Sequence, residues 1–395
     1  MDRRRFLLAT SLLPFAGAIQ FARAAAQSSR KLLILVELKG GNDGLNTVIP
    51  YSDPQYAALR PKLAIPRDQV VQLTEFAGLH PALAPLRAMW ERRELAIVQG
   101  VGYPQPNLSH FRSIEIWDTA SASDEYLETG WLARAFALSP SPADFAADGV
   151  VVGPNALGPL TGNNVRAISL ANPEQFLRNA RLAHAEGESR NPALAHILRV
   201  ERDILVSAER LQGGRKFAAE FPKGPFGNSV NTAAQLAGNQ AGIAVVRLTL
   251  GSFDTHANQL GTQANLLKQL GEGLVALREA LVEIDRWNTT AIATYAEFGR
   301  RPRENQSGGT DHGTASVHFV AGGAVKGGLH GMRPALDRLD GNGNLPFGVD
   351  FRSYYATFLD RWWGIDSKAV LGARHAALQI INHIKYMSQY TVIDR

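Results

Sequence analysis

Two kinds of apolar pattern alternate along this chain. Lys31–Leu38 (KLLILVEL), Glu94–Gln99 (ELAIVQ), Ile243–Leu250 (IAVVRLTL) and Thr290–Tyr295 (TAIATY) are apolar almost without interruption. Short runs with no polar face predict strands covered on both sides, as in a parallel sheet. Val317–Ala321 reads as a further strand, and Val150–Val152 and Arg166–Leu170 as weaker ones. Between them, Pro81–Arg93, Ser109–Trp117, Phe351–Ile365 and Ser367–His375 carry helical patterns. The longest helical pattern, Asn258–Trp287, has leucine or isoleucine at 267, 270, 274, 277, 281 and 284. That repeat is too short for a coiled coil and predicts a helix packed on a sheet. Strands alternating with helices predict an α/β fold: a mostly parallel central sheet with helices on both faces. Pro173–His184 and Asn191–Gln212 read as polar-faced helices, and a helical cap insertion is expected over about residues 171–240 of that domain.

The first 26 residues predict something other than fold. Arg3-Arg4-Arg5-Phe6-Leu7 opens an apolar run to Ile19, and Ala22, Ala24, Ala25 and Ala26 follow. This is the pattern of an export signal, with an apolar stretch too short to cross a bilayer and a small-residue cleavage site. The paired arginines before Phe-Leu resemble the twin-arginine translocation signal. The expectations are the twin-arginine translocation machinery as partner, a periplasmic or secreted location, and no stable membrane span after cleavage. Removing residues 1–26 takes away four arginines and one aspartate and lowers the formal net charge from +5 to +2. No lysine/arginine cluster remains, so nucleic acid is not expected as a partner. The chain has no cysteine. Disulfides, thiolate metal sites, a cysteine nucleophile and iron–sulfur ligation are thereby excluded.

In a parallel sheet, the loops that follow strands emerge on one edge, where ligands bind. Four such loops carry the polar chemistry: Asn42-Asp43-Gly44; Asn107-Leu-Ser109-His110 with Arg112; Asp254-Thr-His256; and Glu297-Phe-Gly-Arg300, continuing to Asp311-His312. Each residue also has a purely structural use. Asp43 among glycines forms turns, and Ser109 can cap the helix that follows it. Asp254 and His256 can do the same for the next helix, Glu297 can pair with Arg300 or Arg301, and Asp311-His312 can sit in a hydrogen-bonded turn. Convergence of all of them on one edge points instead to a cation between them, because carboxylates brought together otherwise repel. Mixed carboxylate and imidazole donors suit a divalent ion such as zinc, manganese or iron.

The segments LVELKGGNDGLNTVIPY, SHFRSIEIW, SFDTHANQ, EFGRRPRENQSGGTDHG and AVLGARH resemble the signature stretches of the twin-arginine-exported domain-of-unknown-function family 1501. That family is grouped with the alkaline phosphatase and sulfatase superfamily. The resemblance implies an alkaline phosphatase/sulfatase-like fold. It implies Asp43 as the first metal aspartate, Ser109 as a nucleophile at a helix start, and Asp254 and His256 as a later ligand pair. It further implies Glu297 at the end of the next strand, with Phe298 where a histidine is usual, and His312 as the last ligand. Asp311 is an extra ligand or orients a histidine.

The mechanism so implied is displacement at phosphorus or sulfur in an anionic ester. One metal on Asp43 and Glu297 would activate Ser109; a second on Asp254, His256 and His312 would stabilise the leaving oxygen or activate water. Arg112, or Arg300 in its place, would grip the oxyanion. His110 is either a general acid or a solvent-facing residue. The alternative is a catalytically degenerate metal- or ligand-binding protein on the same fold.

Overall fold

The computed structural model describes residues 30–153, 156–170 and 215–382. The predicted export signal and the two cap helices lie outside them. In chain order the strands are β1 (Leu32–Leu38), β2 (Val48–Ile49), β3 (Val71–Gln72), β4 (Gly78–Leu79), β5 (Leu95–Gly102), β6 (Ala147–Val152), β7 (Ala167–Leu170), β8 (Ile243–Leu250), β9 (Thr290–Tyr295), β10 (Ser316–Ala321), β11 (Gly328–Gly331) and β12 (Val349–Asp350). Nine of them form one sheet in the order β11-β5-β10-β9-β1-β8-β6-β7, with β12 also paired to β5. β2, β4 and β3 make a small second sheet.

Every residue of β1 is buried, which is why this strand shows no polar face. Its side chains still alternate: Leu32, Ile34, Val36 and Leu38 enter one apolar layer, Leu33 and Leu35 the other. Each such side chain withdrawn from water contributes about 1.5–3 kcal/mol. The first layer is closed by α6 (Pro225–Ala237) and α7 (Gln259–Glu283), the second by α4 (His110–Thr119), α5 (Trp131–Leu138) and α8 (Phe351–Ala356). Shorter helices are α1 (Gly44–Thr47), α2 (Pro54–Leu59), α3 (Arg87–Glu91) and α9 (Ser367–Leu371). Of the cap expected over about 171–240, the described part includes α6, which buries Phe226 and Val230 in the main core rather than projecting from it.

β10 departs from the parallel pattern, pairing antiparallel with both β5 and β9. A parallel neighbour requires a crossover to the far edge. Here the loop after β9 turns directly back at the edge where it emerged. The start of β10, and His312 just ahead of it, therefore lie on the same edge as the loops after β1, β5, β8 and β9. The helix predicted over Phe351–Ile365 is α8 continued by a π-helical turn at Thr357–Trp363, which ends at Gly364 with φ 74°. Among the described residues, no helix is long and apolar enough to cross a membrane.

Candidate metal centre

The site assembles where these strands end. After β1 the chain turns through Gly40 and Gly41, with φ of 113° and 76°. A Cβ on Gly40 would lie 2.4 Å from the backbone nitrogen of Asp254, so only glycine admits this approach. The Gly40 amide donates to Glu297 Oε1 at 2.9 Å, joining the exits of β1 and β9. After β5, Ser109 takes the N-cap position of α4 and His110 its first turn. The Ser109 amide donates to Asn107 Oδ1, while the Ser109 side chain makes no capping hydrogen bond and is exposed.

Three imidazoles converge on one carboxylate. Asp254 Oδ1 lies 3.0 Å from His256 Nε2 and 3.2 Å from His312 Nε2, and Asp254 Oδ2 lies 3.3 Å from His110 Nε2. His110, Asp254 and His312 offer ligand atoms all within 4.8 Å of one another. His256 Nε2 stands 3.0 Å from His312 Nε2.

The far side of each ring is held by a partner of its own. His110 Nδ1 faces Glu297 Oε1 at 2.8 Å, His312 Nδ1 faces the Leu108 carbonyl at 2.7 Å, and His256 Nδ1 faces Asp311 Oδ1 at 3.2 Å. All three outer partners are acceptors, so a proton on Nδ1 satisfies them and leaves Nε2 of each ring available to a cation on the Asp254 side. Three imidazole nitrogens and a carboxylate gathered this closely form a donor set suited to a cation. Acceptor-bound outer nitrogens are the usual support of histidines that ligate metals.

Arg300 sets the position of Asp254. Its guanidinium is buried, donating to the carbonyls of Gly40, Gly41 (2.7 Å), Phe253 (3.1 Å) and Thr310 (3.0 Å) and to Asp254 Oδ1 at 2.6 Å. Burial alone would push the Asp254 carboxyl up, but the Arg300 contact and neighbouring His312 and His110 bring it down to about 2. Burial also lowers the His312 imidazole. The hydrogen bond from Asn305 is the main cause holding Asp311 below the ordinary carboxylate range.

The sequence-predicted residues divide accordingly. Asp254, His256 and His312 come together, with Asp311 behind His256 as an orienting partner. Glu297 touches the cluster through His110 rather than through its own ligand contacts. Its Oε2 is buried and unpartnered. His110, expected as a general acid or a solvent-facing residue, joins the cluster. Two expectations need correction. Asp43 belongs to a separate buried ion pair with Arg60, at 2.6 and 3.0 Å. Arg112 faces away: it donates to the carbonyls of Ser123 and Glu125, pairs with Glu115 at 2.9 Å and stacks on Tyr126 at 3.8 Å. Arg300, the other candidate for the oxyanion, has its donors occupied by the protein itself.

Below the cluster lies a second polar network that sequence reasoning missed. Arg247 of β8 donates to Glu37 of β1 at 2.8 Å and to the Tyr295 hydroxyl of β9 at 2.7 Å. It binds together the ends of the three strands whose exits carry Asp254, Gly40 and Glu297. An arginine and a glutamate inside otherwise apolar strands were the available signal.

A mixed, mostly parallel sheet with a carboxylate–imidazole cluster at its strand ends defines an α/β protein with a candidate metal centre. The chain belongs to the family described as protein of unknown function (DUF1501), which matches residues 90–373. Comparison with curated proteins gives no match. Among solved structures, the chain is similar to the PsFucS1 sulfatase from Pseudoalteromonas sp., at 10% identity and a TM-score of 0.42 over 96% of this chain and 75% of that one. It is similar to a protein in the alkaline phosphatase superfamily from Vibrio parahaemolyticus, at 11% identity and 0.42 over 87% and 69%. It is also similar to the lipoteichoic acid synthase LtaP from Listeria monocytogenes, at 9% identity and 0.35 over 89% and 76%.

Proposed function

We propose that this protein is an exported, metal-dependent hydrolase of phosphate or sulfate esters, with Ser109 as nucleophile. The observation that carries the reading is the convergence of the Nε2 atoms of His110, His256 and His312 on the Asp254 carboxylate, at 3.0–3.3 Å. His110, Asp254 and His312 would hold the metal, with His256 as a further donor, and zinc, manganese or iron suits that set. When bound, the ion supplies Lewis acidity toward an ester oxygen and favours deprotonation of a nearby hydroxyl. Ser109 supports the assignment because its side chain makes no capping hydrogen bond, is exposed, and directly precedes His110 in the chain. The positive end of α4 favours negative charge at that position. Glu297 holds the His110 ring, and Arg300 holds Asp254, so the donors are in place before a substrate arrives. Export through the twin-arginine machinery is part of the proposal and rests on Arg4-Arg5-Phe6-Leu7.

The test is turnover of a panel of phosphate and sulfate esters by the metal-loaded, full-length protein and its Ser109→Ala variant. The reading expects hydrolysis of at least one ester, suppressed at least 100-fold by Ser109→Ala with metal content unchanged. A metal-loaded protein that hydrolyses none of them while binding such anions would be a ligand-binding protein on this fold.

A further inference from the structure

The arrangement expected from the sequence has two metal ions, one on Asp43 and Glu297 and the other on Asp254, His256 and His312. The residues present do not fit that arrangement. We infer that the centre takes one divalent cation, and that the guanidinium of Arg60 stands in place of a second. This rests on the reading of His110, Asp254 and His312 as metal ligands.

Every lone pair of Asp43 is accounted for. Oδ1 accepts from the Leu45 amide at 3.2 Å and from Arg60 Nη2 at 3.0 Å. Oδ2 accepts from Arg60 Nη1 at 2.6 Å and from Gln259 Nε2. A carboxylate has about four such positions, and all four are taken by donors. Arg60 is equally complete. Nε donates to the Pro302 carbonyl at 2.7 Å, Nη1 to Asp43 and to Asn46 Oδ1 at 2.8 Å, and Nη2 to Asp43 and to the Arg301 carbonyl at 3.0 Å. Its five N–H groups are matched, and both side chains are buried. An arginine does not lose its proton in a protein, so this positive charge is permanent. It neutralises Asp43 as a metal ion would, through a planar two-point contact.

The remaining donors do not make up the loss. Glu297 Oε1 is filled by the Gly40 amide and His110. Glu297 Oε2 is buried and has no hydrogen-bond partner. The ring of Phe298 is centred 4.9 Å from His110 and 4.7 Å from His312 and brings carbon where a second imidazole would be needed. One carboxylate oxygen does not hold an ion that requires three or four ligands.

Calorimetric titration of the metal-free, full-length protein with zinc, checked by elemental analysis after desalting, separates the possibilities. The expected result is one zinc per chain in the wild type and in Asp43→Asn, and none tightly held in Asp254→Ala. Two zinc ions per chain in the wild type would overturn the single-cation assignment while leaving the ligand cluster intact. So would a second ion that disappears in Asp43→Asn. No zinc at all would remove the ligand cluster and this inference with it. The wild-type stoichiometry decides the matter even where Asp43→Asn, which leaves Arg60 without its partner, does not fold.

Discussion

Glu297 is the residue whose role depends most on its exact chemistry. One carboxylate oxygen receives both the Gly40 amide and His110 Nδ1, so a single atom ties the turn after β1 to a candidate ligand on α4. A carboxylate behind a ligating histidine fixes the ring and raises its basicity, and losing such a partner typically lowers metal affinity 10–100-fold. Glu297→Gln keeps the shape and removes the charge. Zinc affinity measured by competition with a chelator is expected to fall by about that factor, with the circular dichroism spectrum unchanged. An unaltered affinity would show that Glu297 serves the fold alone. At this scale the sequence shows residue types at strand ends but not their partners. Asp254, His256 and His312 are legible because they follow strands that share an edge. The pairing of Asp43 with Arg60 is not, because it forms only after α2 folds back over α1. The partners of Arg112 are not legible for a similar reason: they are the carbonyls of Ser123 and Glu125, in a loop that no periodicity describes.

Among the elements, the long strands are legible because burial on both faces removes polar residues from them. The direction of β10 is not written in its own residues. It follows from the loop that precedes it, whose path is fixed by Arg300 and the bridge from Arg300 to His312. α5 (WLARAFAL) is a short apolar run that periodicity cannot tell from a strand. α6 opens with proline at its first position, a helix-start signal, but its glycine and asparagines weaken the pattern. β11 and β12 are short and carry no strand-like run; they exist because the outer side of β5 has backbone groups to satisfy.

For the molecule as a whole, acid stability has an identifiable contributor away from the centre. His318 of β10 is fully buried, with its ring edge-on to Trp117 at 5.4 Å and near Tyr354 at 5.9 Å. Neither ring nitrogen has a partner, and burial lowers its pKa to about 3. The unfolded chain protonates this histidine near its ordinary value of 6.5, and the folded chain does so only near 3. Its contribution to stability is therefore whole above pH 6.5 and is lost as the pH falls from there toward 3. His318→Phe keeps an aromatic ring in place and removes the titration. Between pH 7 and pH 4.5, chemical denaturation should show the wild type losing about 2–3 kcal/mol more than the variant. Equal losses would place the acid sensitivity elsewhere.

The central claim is that one metal ion sits among His110, Asp254 and His312. Anomalous diffraction from crystals of the full-length protein grown with zinc, recorded on both sides of the zinc absorption edge, tests it most directly. The account predicts a single strong peak about 2.0–2.2 Å from His110 Nε2, His312 Nε2 and an Asp254 oxygen. No peak among these atoms in crystals holding zinc elsewhere would contradict it, as would a peak seated on Asp43.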